Sequence, residues 1–317
     1  GPDDIAWDYS NSLLSPVSIL YPPRETLFDF ELRNGQAPRL EYTLDRTRRA
    51  IFGIRPCDTH AVVYLDRFLA GGAFEDSQYK ARRENAKLVT IACAEPATPN
   101  CWCSCCEGGP VASEGFDVQL SPLGDFYLVE VAEGGVEIAD AWSDLLEPAD
   151  ERAEDLIAAR DEQVERTKQA LELNAHIGAA MRRITAGALP AGFWQDIGAR
   201  CIGCGGCSFV CPKCTCFNVV DQMLTPTAGR RIREKDSCRF AGYSLEASGH
   251  NPRPERADRA KRWSYHKLSY RYVERNNYHG CVGCGRCVTV CVGRVDMPTV
   301  AKQIREVGRS ATASAAG

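Results

Sequence analysis

Two runs of four cysteines in the last third of the sequence have a spacing that suits a bound metal cluster. The first run contains Cys201, Cys204, Cys207 and Cys211, and the second contains Cys281, Cys284, Cys287 and Cys291. Both follow the pattern C-x2-C-x2-C-x3-C, and the second run repeats the first 80 positions later. In two-cluster proteins with this pattern, three cysteines of one run ligate one [4Fe–4S] cluster and the fourth ligates the other. The spacing therefore predicts two [4Fe–4S] clusters.

Crossed ligation gives each predicted cluster one ligand from the other run. One site is predicted to contain Cys201, Cys204, Cys207 and Cys291, and the second to contain Cys281, Cys284, Cys287 and Cys211. Glycines between the ligands allow unusual backbone angles, so that backbone N–H groups can point at sulfur. The glycines predicted to border the cofactors in this way are Gly203, Gly205, Gly283 and Gly285.

A structural zinc site is the alternative for these runs, because pairs of C-x2-C also form zinc ribbons. Zinc takes four ligands from two such pairs, whereas each run here supplies a third and a fourth cysteine at cluster spacing. The second run has Val292 where a proline normally follows the last cysteine. This change removes a rigid turn but no ligand, and we expect cluster binding to survive it.

A further group of cysteines lies far upstream, and its spacing alone leaves its role open. The group contains Cys57, Cys93, Cys101, Cys103, Cys105 and Cys106. Buried free thiols, labile zinc binding and a further cluster are all compatible with such motifs. The chain has 17 cysteines, and the odd number with C-x-x-C clustering favours metal ligation in a reducing compartment over disulfides. We therefore expect a cytoplasmic protein, without the long apolar run that a membrane span needs.

The composition changes along the chain and predicts four parts. Short apolar runs at 50–54, 88–93 and 126–131 predict strands of an N-terminal α/β or α+β domain, residues 1–135. A helical connector follows over 136–190, with one long helix or two shorter ones between 150 and 184. Residues 191–300 are predicted to form a mainly α-helical, ferredoxin-like domain with two clusters. The tail, 301–317, is expected to be disordered beyond Arg309.

Charge is unevenly distributed along the sequence. The net charge is −4, yet residues 229–275 contain 13 Lys and Arg against 6 Asp and Glu. Interleaved aromatic residues in this segment could suggest nucleic-acid binding. Cations packed around negatively charged clusters, or facing an acidic partner, explain the same surplus, and we expect no nucleic-acid partner. The sequence has neither a G-x-G-x-x-G fingerprint after a strand nor a G-x4-G-K-[ST] motif, so we do not expect it to bind NAD.

Seven stretches of the sequence occur together in an order known from one family. They are Tyr-Pro-Pro-Arg-Glu-Thr-Leu-Phe at 21–28, Phe-Gly-Ile-Arg-Pro-Cys-Asp at 52–58, the stretch 76–83 ending in Tyr-Lys-Ala-Arg-Arg, Cys-Trp-Cys at 101–103, Cys-Pro-Lys-Cys-Thr-Cys at 211–216, Asp-Ser-Cys at 236–238 and Gly-His-Asn-Pro-Arg at 249–253. On these stretches the chain resembles the β subunits of cytosolic sulfhydrogenases and the related A subunit of anaerobic sulfite reductase. The resemblance spans most of the chain.

The resemblance implies a third cluster and a set of partners. It implies that a third [4Fe–4S] cluster is ligated by Cys57, Cys93, Cys101 and Cys103. The partners that it implies are an FAD- and NAD(P)-binding flavoprotein subunit and a catalytic subunit, either a nickel–iron hydrogenase with sulfur reductase activity or a sirohaem sulfite reductase. Such a chain would be an electron-transfer subunit of an oxidoreductase complex and would not be catalytic alone.

Three further cysteines belong to the family's pattern without an assigned role, namely Cys214, Cys216 and Cys238. They suggest an alternative function, a self-contained reductase of a sulfur compound that uses an atypical cysteine-ligated centre. Activity of the isolated chain would distinguish this alternative from an electron-transfer subunit.

Overall fold

Two four-stranded sheets contain the strands of the computed structural model, which describes residues 12–173 and 175–313. Sheet 1 is antiparallel and consists of β1 (Arg24–Arg33), β2 (Gln36–Glu41), β7 (Phe217–Met223) and β8 (Ala228–Lys235), in the order β2-β1-β8-β7. Sheet 2 consists of β3 (Arg49–Ile54), β4 (Ala86–Ile91), β5 (Val118–Leu123) and β6 (Phe126–Val131), in that order. The three predicted strands coincide with β3, β4 and β6, and the N-terminal region is an α+β structure.

Helices pack around both sheets. The described residues form α1 (Pro56–Leu65), α2 (Ser77–Glu84), α3 (Val136–Ala141), α4 (Ala153–Gln169), α5 (Ile177–Ala186), α6 (Phe193–Arg200), α7 (Gly206–Phe209), α8 (Arg256–Leu268), α9 (Tyr270–Asn276), α10 (Arg286–Val290) and α11 (Met297–Ala313). Helices α4 and α5 correspond to the alternative of two shorter helices between 150 and 184. None of the helices in the described ranges is long and apolar enough to cross a membrane.

Sheet 2 positions two of the upstream cysteines at one edge. Strands β3 and β4 are parallel, so their carboxyl ends meet at the same edge of the sheet. Pro56 begins α1 two residues after the end of β3 at Ile54, and its fixed φ suits the first turn of a helix. Cys57 therefore lies in the first turn of α1, and Cys93 lies two residues beyond β4. These two thiols come close together although 36 positions separate them.

Sheet 1 joins the start of the chain to the segment between the two cysteine runs. Strand β1 pairs with β8, and the buried carboxylate of Glu25 on β1 forms ion pairs with Arg233 of β8 and Arg82 of α2. Arg233 also pairs with Asp76, whose side chain caps the N-terminus of α2. Burial of these charges requires that each be paired, so the cluster fixes how β1, β8 and α2 meet.

The C-terminal region differs from the predicted description in two ways. Residues 191–300 contribute β7 and β8 to sheet 1, a strand pair that the prediction of a mainly helical domain omitted. The prediction of disorder beyond Arg309 is wrong as far as Ala313, because α11 continues to that residue. Buried Val300, Ala301 and Ile304 anchor this helix, and alanine, frequent near its end, is the best helix former. Residues 1–11 and 314–317 of the predicted first and last parts lie outside the described residues.

The four-part division of the chain stays a prediction. The pairing of β1 with β8 nevertheless crosses the predicted boundaries at 135 and 191. The first strands and the cysteine-rich region therefore share one sheet.

Substitution of Glu25 by Gln should strongly destabilise sheet 1. The change leaves the guanidinium groups of Arg82 and Arg233 without their shared carboxylate, and breaking a buried pair in this way costs about 3–5 kcal/mol. The matched control is Glu234→Gln on β8, which removes an exposed pair with Arg24 and should cost about 0–1 kcal/mol. Urea unfolding followed by far-UV circular dichroism under argon measures both. Equal losses of unfolding free energy in Glu25→Gln and Glu234→Gln would contradict this account.

Candidate metal centres

Site 1 consists of Cys201, Cys204, Cys207 and Cys291, which line one cavity. The first three lie on the turn between α6 and α7 or on α7 itself, and Cys291 directly follows α10. Contact between α7 and α10 brings the two runs together. The structure thus assembles the four cysteines that crossed ligation assigns to one cluster, and their ligation of iron stays a prediction.

Site 2 consists of Cys211, Cys281, Cys284 and Cys287, which line a second cavity. Its walls include the rings of Trp102 and Trp263, which are nearly fully buried and exclude water from the sulfur atoms. Cys207 of site 1 lines this cavity as well. Sites 1 and 2 are therefore direct neighbours.

Site 3 consists of Cys57, Cys93, Cys101 and Cys103, which line a third cavity. Cys284 of site 2 also lines it, so sites 2 and 3 are neighbours too. Helix α4 covers the cavity with Thr167, whose hydroxyl donates a hydrogen bond to the Cys93 carbonyl oxygen at 3.1 Å. The four cysteines whose ligation rests on the family resemblance are thus brought together around one cavity.

Two glycines allow the second cysteine run to approach the loop that carries Cys101 and Cys103. Gly283 and Gly285 have φ values of 66° and 76°, in the region that favours glycine. A Cβ atom on Gly283 would lie 2.5 Å from the Cα atom of Cys103. The Gly283 N–H points at the Cys281 sulfur at 3.4 Å. The predicted unusual backbone angles are present at all four glycines, and a role in binding a cofactor stays a prediction for them.

Gly203 and Gly205 occupy the equivalent positions in the first run, with φ values of 75° and 74°. A Cβ atom on Gly205 would lie 2.7 Å from the ring of Phe240. Both runs therefore turn through the same backbone conformation, as expected of an internal repeat.

A buried cation without a carboxylate partner indicates that site 1 suits an anionic group. Arg239 lines the cavity, is 2% exposed, and has no ion pair with a carboxylate within the described residues. It lies beside Cys207, where burial raises the pKa of the thiol and the guanidinium group acts in the opposite direction. Its guanidinium carbon lies 4.4 Å from the centroid of the Trp263 ring. A buried charge without a counterion is very costly, so the cavity should hold negative charge. A cluster with four thiolate ligands supplies it.

Sites 2 and 3 each have a buried cation at a ligand sulfur. The Lys267 ammonium donates to the Cys211 sulfur at 3.2 Å, and the Arg55 guanidinium lies 3.9 Å from the Cys93 sulfur. Burial lowers the pKa of Lys267, but the neighbouring cysteines, Cys211 foremost, raise it overall, so the side chain stays charged. Each of the three sites therefore has a cation that offsets negative charge on sulfur.

Because the thiols are buried, they are expected to lose their protons only when they bind a metal. Burial raises the pKa of Cys93 to about 11 and that of Cys284 to about 12, although Arg55 and Arg286 act in the opposite direction. Without metal these thiols stay protonated at neutral pH. Thiolates are the ligands of iron, so each proton must leave when the metal enters.

The remaining five cysteines lie beside the sites. Cys106 is buried and hydrogen-bonds with Cys281 of site 2, and this bond is the main cause that lowers the pKa of Cys281 to about 6. The thiols of Cys214 and Cys238 donate to Cys216 and hold its pKa far below its usual value, with the Tyr243 hydroxyl assisting. Cys106, Cys214, Cys216 and Cys238 belong to one hydrophobic core, and Cys105 packs against it.

A single zinc ion is the alternative occupant of a site with four cysteines. A zinc ion holds four thiolates at about 2.3 Å, which requires a compact group of side chains. In the part of the chain that the structure describes, no group of three or more His, Cys, Asp or Glu side chains is arranged to hold a single ion. The preference for a cluster over zinc at these cysteines stays a prediction.

Sequence reasoning did not single out the groups that surround the sulfur atoms. They are Arg55, Trp102, Arg239, Trp263 and Lys267. The basic surplus over 229–275 was the available indication, because Arg239 and Lys267 both belong to that segment. Charge alone could not separate these two from Arg231, which pairs with Asp221 on the surface of sheet 1.

Substitution of Cys101 by Ala should lower the iron content by about four atoms per chain, from about twelve, because site 3 loses one of its four ligands. The matched control is Cys105→Ala, four positions further on and outside the three ligand sets, which should leave iron unchanged. Iron analysis after anaerobic purification measures both. Iron content equal to that of the wild type in Cys101→Ala would rule out this ligand set.

Substitution of Lys267 by Met should make the reduction potential at site 2 more negative. Loss of the buried positive charge beside Cys211 disfavours the added electron, and a tenfold change in the equilibrium corresponds to about 59 mV for one electron. Lys261→Met, on the exposed side of the same helix α8, is the control and should leave the potential unchanged. A redox titration followed by electron paramagnetic resonance measures the shift. An unchanged reduction potential in Lys267→Met would show that Lys267 does not influence the potential at site 2.

Comparison with known proteins supports the binding of [4Fe–4S] clusters by this chain. The family model of a 4Fe-4S dicluster domain matches residues 200–295, which include both cysteine runs. Sulfhydrogenase 2 subunit beta of Pyrococcus furiosus is 31% identical over 306 residues, which cover 96% of this chain and 86% of that protein. No solved structure matches the chain. The resemblance seen in the seven stretches is thereby confirmed, and the chain belongs to the family of sulfhydrogenase beta subunits.

Proposed function

We propose that the chain is an electron-transfer subunit that holds three [4Fe–4S] clusters in one row and relays single electrons between partner subunits. The observation that carries this proposal is the sharing of cavity walls. Cys207 lines the cavities of sites 1 and 2, and Cys284 lines those of sites 2 and 3. The cavities of sites 1 and 3 have no lining residue in common.

The shared walls support a linear order with site 2 in the middle. A shared cysteine places two clusters on either side of one side chain, which keeps each electron-transfer step short. Clusters of this type supply reversible uptake of one electron at a time. The chain's own residues hold the clusters, exclude water with Trp102 and Trp263, and offset charge with Arg55, Arg239 and Lys267.

The proposed partners are an FAD- and NAD(P)-binding flavoprotein subunit and a catalytic subunit of the hydrogenase, sulfur reductase or sirohaem sulfite reductase type. The relative is by name one subunit of a sulfhydrogenase, which supports a role within a complex. A nicotinamide delivers a hydride whereas an iron–sulfur cluster accepts one electron, so a flavin is needed between them. The sequence has no dinucleotide fingerprint of its own.

The burial of the three cysteines without an assigned role gives no support to the alternative of a self-contained sulfur reductase. Cys214, Cys216 and Cys238 are each 7% exposed, so a sulfur compound would not reach them without a rearrangement. They pack in the same core as the ligands of sites 1 and 2.

The test is reduction of the isolated, cluster-loaded chain by NAD(P)H under anaerobic conditions. We expect almost no bleaching of the visible absorption by NAD(P)H alone, because the chain lacks a group that splits a hydride into single electrons. Addition of the flavoprotein subunit should make bleaching rapid. Dithionite, which needs no flavin, is the control that shows reducible clusters. Rapid bleaching of the flavin-free chain by NAD(P)H would overturn the relay and favour an independent reductase.

A further inference from the structure

One end of the row of sites reaches the protein surface. All seventeen cysteines lie within the described residues, and Cys204 of site 1 is the one among them that is exposed. Two aliphatic side chains flank it on the cavity rim, Ile202 at 60% exposure and Val292 at 77%. A valine exposed to this degree has no role in the core, and its position next to Cys291 places it over the cluster site.

Cations surround this apolar rim. Arg200 lines the cavity of site 1, and its guanidinium group donates to the carbonyl oxygen of Arg294 at 3.2 Å. Both arginines are exposed. Lys235 extends from β8 and donates to the carbonyl oxygen of Phe209 at 2.9 Å, on the side of the first run. Among the described residues, those that line the cavity include no carboxylate, and the charged ones, Arg200 and Arg239, are both cations.

The opposite end of the row is less exposed. Cys57 and Cys101 of site 3 are each 6% exposed, and Cys93 and Cys103 are half-buried. Thr167 of α4 and Leu171, two residues beyond that helix, border the cavity. Electron transfer between proteins slows steeply as the distance between the two centres grows. A protein that docks at the rim of site 1 can therefore bring its redox centre closer to the row than one that docks over α4.

We propose that the rim of site 1, formed by Ile202, Cys204 and Val292 and bordered by Arg200, Arg294 and Lys235, is the docking surface of an acidic electron-carrier protein. This carrier holds a one-electron iron–sulfur centre near a small apolar patch with carboxylates around it. Weak electron-transfer encounters bury less area than stable complexes, so a few apolar side chains suffice. The opposite charges steer the encounter and fix its orientation.

The exchange itself is a single electron transfer. The reduced carrier loses one electron, the group held at site 1 gains it, no bond is made or broken, and no proton moves. The inference rests on the proposed function, because it needs a cluster at site 1 that belongs to a relay.

The test uses the full cluster-loaded chain and, as probe, a reduced small acidic two-cluster ferredoxin in stopped-flow mixing. The variant Val292→Glu places a negative charge on the rim, and we expect the second-order rate of electron transfer to fall by about tenfold or more because like charges oppose docking. The matched control Val219→Glu, on exposed strand β7 of sheet 1, should change the rate less than about twofold. The wild-type rate should also fall as salt is added.

Two further measurements separate the docking surface from the relay. Iron analysis and reduction by photoreduced deazaflavin, a small reductant that needs no docking surface, should be the same in Val292→Glu and in the wild type. Equal ferredoxin rates in Val292→Glu and Val219→Glu would overturn the docking surface and leave the relay intact. A wild-type chain that deazaflavin reduces but ferredoxin does not would overturn an acidic iron–sulfur carrier as the partner. Iron that neither reductant can reduce would instead refute the proposed function.

Discussion

The close contact between the second cysteine run and the loop around Cys101 and Cys103 is the constraint on which the arrangement of the sites depends. The Trp102 N–H donates to the Gly283 carbonyl oxygen at 2.8 Å, and a Cβ atom on Gly108 would lie 2.0 Å from the Val282 carbonyl oxygen. Only residues without a side chain permit such an approach on both sides. Cys284 lies within this contact, which is why one cysteine can line two cavities.

Twelve candidate ligands in one region would bring much negative charge together, and buried cations offset this charge. Three sulfur-lined cavities would place much negative charge in an environment of low dielectric constant, where charge is costly unless it is compensated. Arg55, Arg239 and Lys267 compensate it locally, one at each site. Arg286 acts differently, because its guanidinium group is already neutralised by two hydrogen bonds to the Asp58 carboxylate. It fixes α10 to α1 and thereby sites 2 and 3 to each other.

The sequence predicts which cysteines of the two runs come together better than it predicts which distant segments pair in the fold. Cysteine spacing implies the composition of sites 1 and 2, since ligand spacing reflects local geometry around a cluster. The ligand set of site 3 came only from family resemblance, because Cys57 and Cys93 are separated by a helical crossover whose length carries no ligand pattern. The pairing of β1 with β8 was not predictable either, because register between distant strands depends on packing partners such as Glu25 and Arg233. The helical structure of α11 beyond Arg309 was also not predicted. The buried residues that hold this helix lie earlier in the sequence than the stretch rich in alanine and serine at its end.

Sheet 1 has a consequence for how the protein is made. Strands β1 and β2 cannot complete their sheet until residue 235 has left the ribosome, and site 1 lacks Cys291 until the second cysteine run has been synthesised. Site 3 also has to wait, because Gly283 and Cys284 close it from the far end of the sequence. Folding dominated by such distant contacts is slow and leaves partly folded intermediates exposed. Sites 1 and 3 can therefore assemble only after the second cysteine run has been synthesised, so any metal that they hold must enter after that point.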